Sequence, residues 1–174
     1  MKPETIFAIV ISLIVIVISS LLILALEPSK KTVPYFHDKT VEEVKTYLLS
    51  LKKDDKSEEL LFSDLKDIDE DTLKYVIGIE PQYLDGYSVM ASISDATTFL
   101  VLRLKEGSKS LIETSVLEYM DYLEKKWEST DTEQAQLVQN YSKISYDNYL
   151  IYVVSSNNEY VKSKIDSFFV YADK

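Results

Sequence analysis

The sequence contains no cysteine, a single histidine, three glycines and four prolines in 174 residues. Without cysteine there is no disulfide, no thiolate metal ligand, no thiol nucleophile and no lipid attached through Cys. The same absence fits either side of a membrane, so it leaves the redox compartment open. The one histidine, His37, has no His or Cys partner for a zinc site or a catalytic triad, and it lies beside Pro34 and Tyr35 in a stretch without periodicity. Three glycines, Gly78, Gly86 and Gly107, cannot build a nucleophile elbow, a Walker-A loop or a dinucleotide fingerprint. No pattern selects a glycosidase-like pair from the 29 acidic residues. No cofactor, metal or catalytic residue is therefore expected.

Positive charge is also scarce. The formal net charge is −10, and Lys2 and Glu4 cancel at the N-terminus, so the deficit belongs to the rest of the chain. A field of that sign repels phosphate backbones and anionic headgroups, which excludes nucleic acid as an expected partner. It favours solubility, and it favours basic proteins, polycations or cell-wall amines.

One thing is abundant. Thr5 to Leu26 reads TIFAIVISLIVIVISSLLILAL, without a charged residue. At about 1.5 Å per residue this run spans roughly 33 Å, enough to cross a hydrocarbon core of about 30 Å. Its Ile, Leu and Val outweigh the cost of Thr5, Ser12, Ser19 and Ser20, whose hydroxyls can bond back to helix carbonyls. A cleaved signal peptide would be shorter and would end in a small-x-small site, which Ala25-Leu26-Glu27-Pro28 does not provide. The expected layout is a head at 1–4, a transmembrane anchor at 5–26 in contact with the bilayer, a stalk at 27–39 and a soluble domain at 40–174. Charge leaves the orientation open: Lys30, Lys31, Lys39 and Lys45 after the span favour a cytoplasmic domain, whereas the short head favours the usual N-in arrangement.

The soluble part alternates between helical and strand patterns. Thr40-Val41-Glu42-Glu43 is a capping box opening a helix with Val41, Val44, Leu48 and Leu51 on one face. Residues 52–59 read as a charged loop. Asp69 caps a short helix through Ile77, stopped by Gly78 with Pro81 beyond. Tyr83 to Ser94 alternates, Thr97 to Leu104 is a β-branched and apolar run, and Asp95-Ala96 is the turn between them. Lys109 to Glu128 carries Ile112, Val116, Tyr119, Met120, Leu123 and Trp127 at helical spacing. A shorter helix follows over Thr132 to Asn140. Ile144 to Tyr146 and Tyr149 to Ser155 flank Asp147-Asn148, two residues tolerant of positive φ, and predict a hairpin. Asn157 caps a last helix with Val161, Ile165, Phe168 and Phe169 inward. The expected fold is α+β: an antiparallel sheet of two hairpins with helices packed on one face, preceded by one transmembrane helix.

This order of pieces resembles the bacterial domain-of-unknown-function family 4358, small domains that follow a lipoprotein signal or a membrane anchor in Gram-positive bacteria. The resemblance is carried by Tyr75-Val76-Ile77-Gly78-Ile79-Glu80, by Ala91 to Lys105, by the helix ending near Trp127-Glu128, and by the hairpin Ser145 to Ser155. It covers about Ile68 to Phe169. The chain departs from the pattern at Ser94-Asp95-Ala96-Thr97, where an acidic pair is expected, and it has no lipobox cysteine. The resemblance implies a domain outside the cytoplasm and supplies no activity.

Two features invite a site. Asp67, Asp69 and Asp71 alternate like the start of an EF-hand loop, but Thr72 and Gly78 stand where that loop needs Gly and Glu, so acids gathered at a helix start are the better reading. Thirteen tyrosines supply amphipathic rings. Among them Tyr83, Tyr87, Tyr146, Tyr149 and Tyr152 are the candidate binding surface for carbohydrate or protein, against the alternative of an ordinary core margin. The leading expectation is a membrane-anchored, extracytoplasmic, non-enzymatic interaction or envelope module, with another envelope protein or a cell-wall component as partner. A carboxylate-dependent cell-wall or peptide hydrolase and a small accessory subunit of a membrane complex are the alternatives.

Overall fold

The computed structural model describes residues 39–170. The chain divides into two units, Met1–Pro34 and Tyr35–Lys174, and the described residues all belong to the second. The expected head, anchor and stalk as far as Asp38, with His37, lie outside them. Among the described residues no helix is long and apolar enough to cross a membrane.

Among the described residues five helices and five strands follow in the order α1 (Val41–Leu49), β1 (Leu65–Asp67), α2 (Glu70–Tyr75), a 3-10 turn (Pro81–Tyr83), β2 (Leu84–Ser92), β3 (Thr98–Leu104), α3 (Lys109–Glu128), α4 (Thr132–Gln139), β4 (Ser142–Tyr146), β5 (Tyr149–Val154) and α5 (Asn158–Phe169). The strands form one antiparallel sheet ordered β1-β2-β3-β5-β4. The two expected hairpins are β2–β3 and β4–β5, joined by the pairing of β3 with β5. β1 is an added edge strand that the sequence pattern did not announce. Only three residues long, it pairs Leu65 with Ser92 and Asp67 with Met90.

The helix starts follow local chemistry. The Thr40 hydroxyl accepts the Glu43 N–H while the Glu43 carboxylate accepts the Thr40 N–H at 2.7 Å, a reciprocal capping box. Asp69 accepts the Thr72 N–H at 2.8 Å and so caps α2. Asn157 accepts from Tyr160 at the start of α5. In the β4–β5 turn Asp147 takes φ 44°, the left-handed conformation that a tight hairpin asks of its first residue.

Helices cover both faces of the sheet, which corrects the expectation of one covered face. On one side α3 and α4 pack with Leu73 and Ile79 onto Val89, Leu100, Leu102, Leu150 and Tyr152. On the other, α1 and α5 pack Val44, Leu48, Val161, Ile165 and Phe169 onto Phe99, Val101, Ile151 and Val153. The reason lies in the central strands. Along β5 every residue is buried, and along β3 only Arg103 is not fully so. A strand apolar at successive positions presents hydrophobic side chains to both sides, and each side needs a cover. Gly86 on β2 lets α1 approach closely, since a Cβ there would stand 3.2 Å from Val41 Cγ2.

Candidate functional site

The five candidate tyrosines do not form a common surface. Tyr152 is fully buried in the α3-side core, with Tyr83 and Tyr87 half-buried at its margin. Tyr149 is buried in the α1/α5-side core, with Tyr146 half-buried beside it. Sheet pleating separates them: Tyr149 and Tyr152 are three apart on one strand and point to opposite faces. Two of the hydroxyls tie elements of the fold together. Tyr149 donates to the Lys39 carbonyl oxygen at 2.5 Å, and Tyr146 donates to the Asp166 carboxylate on α5. The Tyr146 ring stacks on Phe169 at 4.8 Å between centroids.

Burial pushes these phenols away from ionisation. Desolvation raises Tyr152, desolvation and the Asp166 carboxylate together raise Tyr146, and desolvation pushes Tyr119 up to about 12. A phenol in that state supplies an apolar ring and a neutral donor, not a phenolate nucleophile.

In the acidic alternation at Asp67, Asp69 and Asp71 the first two residues have structural tasks. Asp67 pairs with Lys45 of α1 at 2.7 Å, and Asp69 is the α2 cap. Among the described residues no group of three or more His, Asp or Glu side chains is placed to hold a metal ion.

Among the described residues three recesses can be named. One of about 260 Å³ lies at the β2–β3 turn, lined by Phe62, Asp64, Asp95, Gln134 and Ser156. Two of its polar groups are engaged locally: Gln134 accepts the Ala96 N–H and Asp95 accepts the Thr97 N–H, both at 2.8 Å. A shallower groove of about 500 Å³ runs along α1 past Tyr47 and Phe168, whose rings stack at 4.2 Å. A third, about 410 Å³, lies between the β3–α3 connection and the β4–β5 turn, with Asp85, Lys105, Lys109 and Asp147 on its walls.

A fourth feature is convex and apolar. Among the described residues seven large hydrophobic ones are exposed, and five of them, Tyr75, Val76, Leu111, Leu117 and Tyr122, belong to α2, its C-cap and α3. Tyr75 is 75% exposed and Tyr122 53%. The Ser115 hydroxyl donates to the Gly78 carbonyl oxygen at 2.9 Å, drawing the end of α2 against α3. Gly78 takes φ +77°, a backbone that suits glycine and turns the chain after the helix. Leu111 and Tyr122 fall on the same flank of α3 as Ser115, by helical spacing, while Leu117 falls on the other flank. Tyr122 leans on the buried Tyr119, with ring centroids 6.4 Å apart. Beside Tyr75, Lys74 holds its ammonium 5.5 Å from the ring centroid.

The sequence could have pointed to this seam. Tyr75 and Val76 end a helix whose only buried residue is Leu73, and Tyr122 lies off the apolar stripe of α3. The strand tyrosines Tyr149 and Tyr152 lie on a strand buried throughout, where rings are covered.

No curated protein and no solved structure matches the chain. Residues 58–155 match the family model described as Domain of unknown function (DUF4358). The match takes in the whole sheet with α2, α3 and α4, beginning earlier than Ile68 and ending before α5; the helices α1 and α5, which cover the second face, fall outside it. With more than half of its length matched, this chain belongs to the DUF4358 family.

Proposed function

We propose that this chain is a membrane-tethered, extracytoplasmic and non-enzymatic interaction module. The tether is the uncharged run Thr5 to Leu26, whose length suits a bilayer. The location outside the cytoplasm rests on the resemblance set out from the sequence. The observation that carries the interaction role is the concentration of exposed aromatic and aliphatic side chains on α2 and α3. Exposed apolar residues scattered singly are ordinary, whereas four of the seven exposed among the described residues, Tyr75, Val76, Leu111 and Tyr122, lie on α2, its C-cap and one flank of α3, as a contact surface requires.

Site-specific crosslinking tests this. A photoreactive amino acid replaces Tyr122 in the full chain expressed in its native host, and the same amino acid replaces Lys162, an exposed residue of α5. The reading expects a discrete crosslinked protein band from position 122 and none from position 162. Identical patterns from both positions, or no adduct from position 122, would remove the interaction role.

A further inference from the structure

We infer that the seam between α2 and α3 is a docking surface for a cationic protein segment, one in which Lys or Arg side chains alternate with apolar ones. The inference rests on the interaction-module reading and names the partner's chemistry.

Two pairs of residues carry it. On α2, Asp71 stands one helical turn before the exposed Tyr75; on α3, Glu118 stands one turn before the exposed Tyr122. Each pair sets a carboxylate beside an aromatic face. An ammonium or guanidinium group is attracted by both, through charge and through the ring quadrupole. Asp71 and Glu118 are exposed, and neither forms an ion pair among the described residues. The nearby lysines are engaged: Lys74 bridges Glu80 at 3.1 Å and Lys125 bridges Asp121 at 2.5 Å. The seam thus keeps unneutralised negative charge in a chain that already carries −10.

The aromatic half is built to bind a cation. Lys74 holds its ammonium 5.5 Å from the Tyr75 ring centroid, so the chain itself sets a cation against this ring. The Tyr122 ring is braced by Tyr119, so less side-chain freedom is lost when a partner settles on it. Val76 and Leu111 add exposed apolar side chains at the end of α2 and on α3, and the Ser115 hydroxyl bonds the Gly78 carbonyl oxygen between the two helices. A purely anionic or purely apolar partner would satisfy only half of these groups.

Peptide selection tests the inference. The full chain, held in nanodiscs, is panned against a phage-displayed library of random dodecapeptides, with a Tyr75→Ala/Tyr122→Ala variant as counter-target. The expected sequences are rich in Lys or Arg interspersed with apolar residues, and they bind the double variant about tenfold or more weakly. Asp71→Asn/Glu118→Gln should weaken the same peptides and reduce the salt dependence of their binding. Leu117→Ala, on the other flank of α3, should leave affinity unchanged, and unchanged near-UV circular dichroism establishes that each variant is folded. Selected peptides that bind the double variant as well as the parent overturn the seam while leaving the interaction-module reading standing. Selection of acidic or uncharged peptides overturns the cationic partner. Failure to select any peptide overturns both.

Discussion

The Ser115 hydroxyl on α3 and the Gly78 carbonyl after α2 lie 2.9 Å apart, joined by a hydrogen bond that holds a short, weakly buried helix against a long, well-buried one. α2 contributes one buried residue, Leu73, while α3 contributes Ile112, Val116, Tyr119, Met120 and Leu123. A helix of six residues has little stability of its own. Its position depends on Leu73, the Asp69 cap and the tie to Ser115. Ser115→Ala should therefore cost about 1 kcal/mol in urea denaturation. Gly78→Ala should cost more, about 1–2 kcal/mol, because alanine resists the φ of +77° found there.

The two-sided core gives a sharper test. Phe99 and Leu100 are adjacent on β3, both 0% exposed, and point to opposite faces. Phe99→Ala should cost about 3–5 kcal/mol and Leu100→Ala about 2–5 kcal/mol. If helices covered only one face, one of these substitutions would be nearly free. Denaturation midpoints of the two variants decide between the arrangements.

Acid should weaken the fold through identifiable carboxylates. The Thr40 N–H and hydroxyl hold Glu43 below the ordinary value of 4.5, Lys53 does the same for Glu59, and Lys164 holds Asp55 below 3.8. The Thr72 amide lowers Asp69 in the same way. A depressed folded value means stability that is present above the unfolded value and is lost as pH falls through the folded one. Thermal midpoints should thus hold steady at neutral pH and drop below about pH 4.5, with Glu43→Gln removing part of that dependence. At the alkaline end the sign reverses. Tyr119, raised from 10.0 to about 12, stabilises the fold below pH 10 and loses that contribution between the two values. Tyr119→Phe should flatten the alkaline limb of the melting curve.

Tyr75→Ala and Tyr122→Ala should leave stability within about 0.5 kcal/mol of the parent. Their rings lie mostly in water, unlike Phe99 or Tyr152. A large loss in either variant would show that the ring supports the fold, and would turn the seam from a contact surface into structure.

Much of this fold was legible in the sequence because its signals are local. The capping box at Thr40, the caps at Asp69 and Asn157, and the Asp147-Asn148 turn each depend on residues a few positions apart. The misjudged features depend on distant contacts. β1 is three residues with no apolar alternation, and it exists because β2 offers Met90 to Ser92 a partner. The second covered face is foreshadowed in Thr98 to Leu104, a run without polar alternation, because such a strand shows apolar side chains to both sides. The tyrosines misled for the same reason: Tyr149 and Tyr152 look amphipathic as isolated residues, and only their place on the central β5 buries them.

Membrane topology is the most direct test of the tethered, extracytoplasmic module. The chain has no cysteine, so a single Lys56→Cys substitution, at an exposed residue in the turn between α1 and β1, creates a unique label site. Intact cells are then treated with a membrane-impermeant maleimide, with and without lysis. Labelling of intact cells is the predicted result. Labelling only after lysis would place the domain in the cytoplasm and contradict the account.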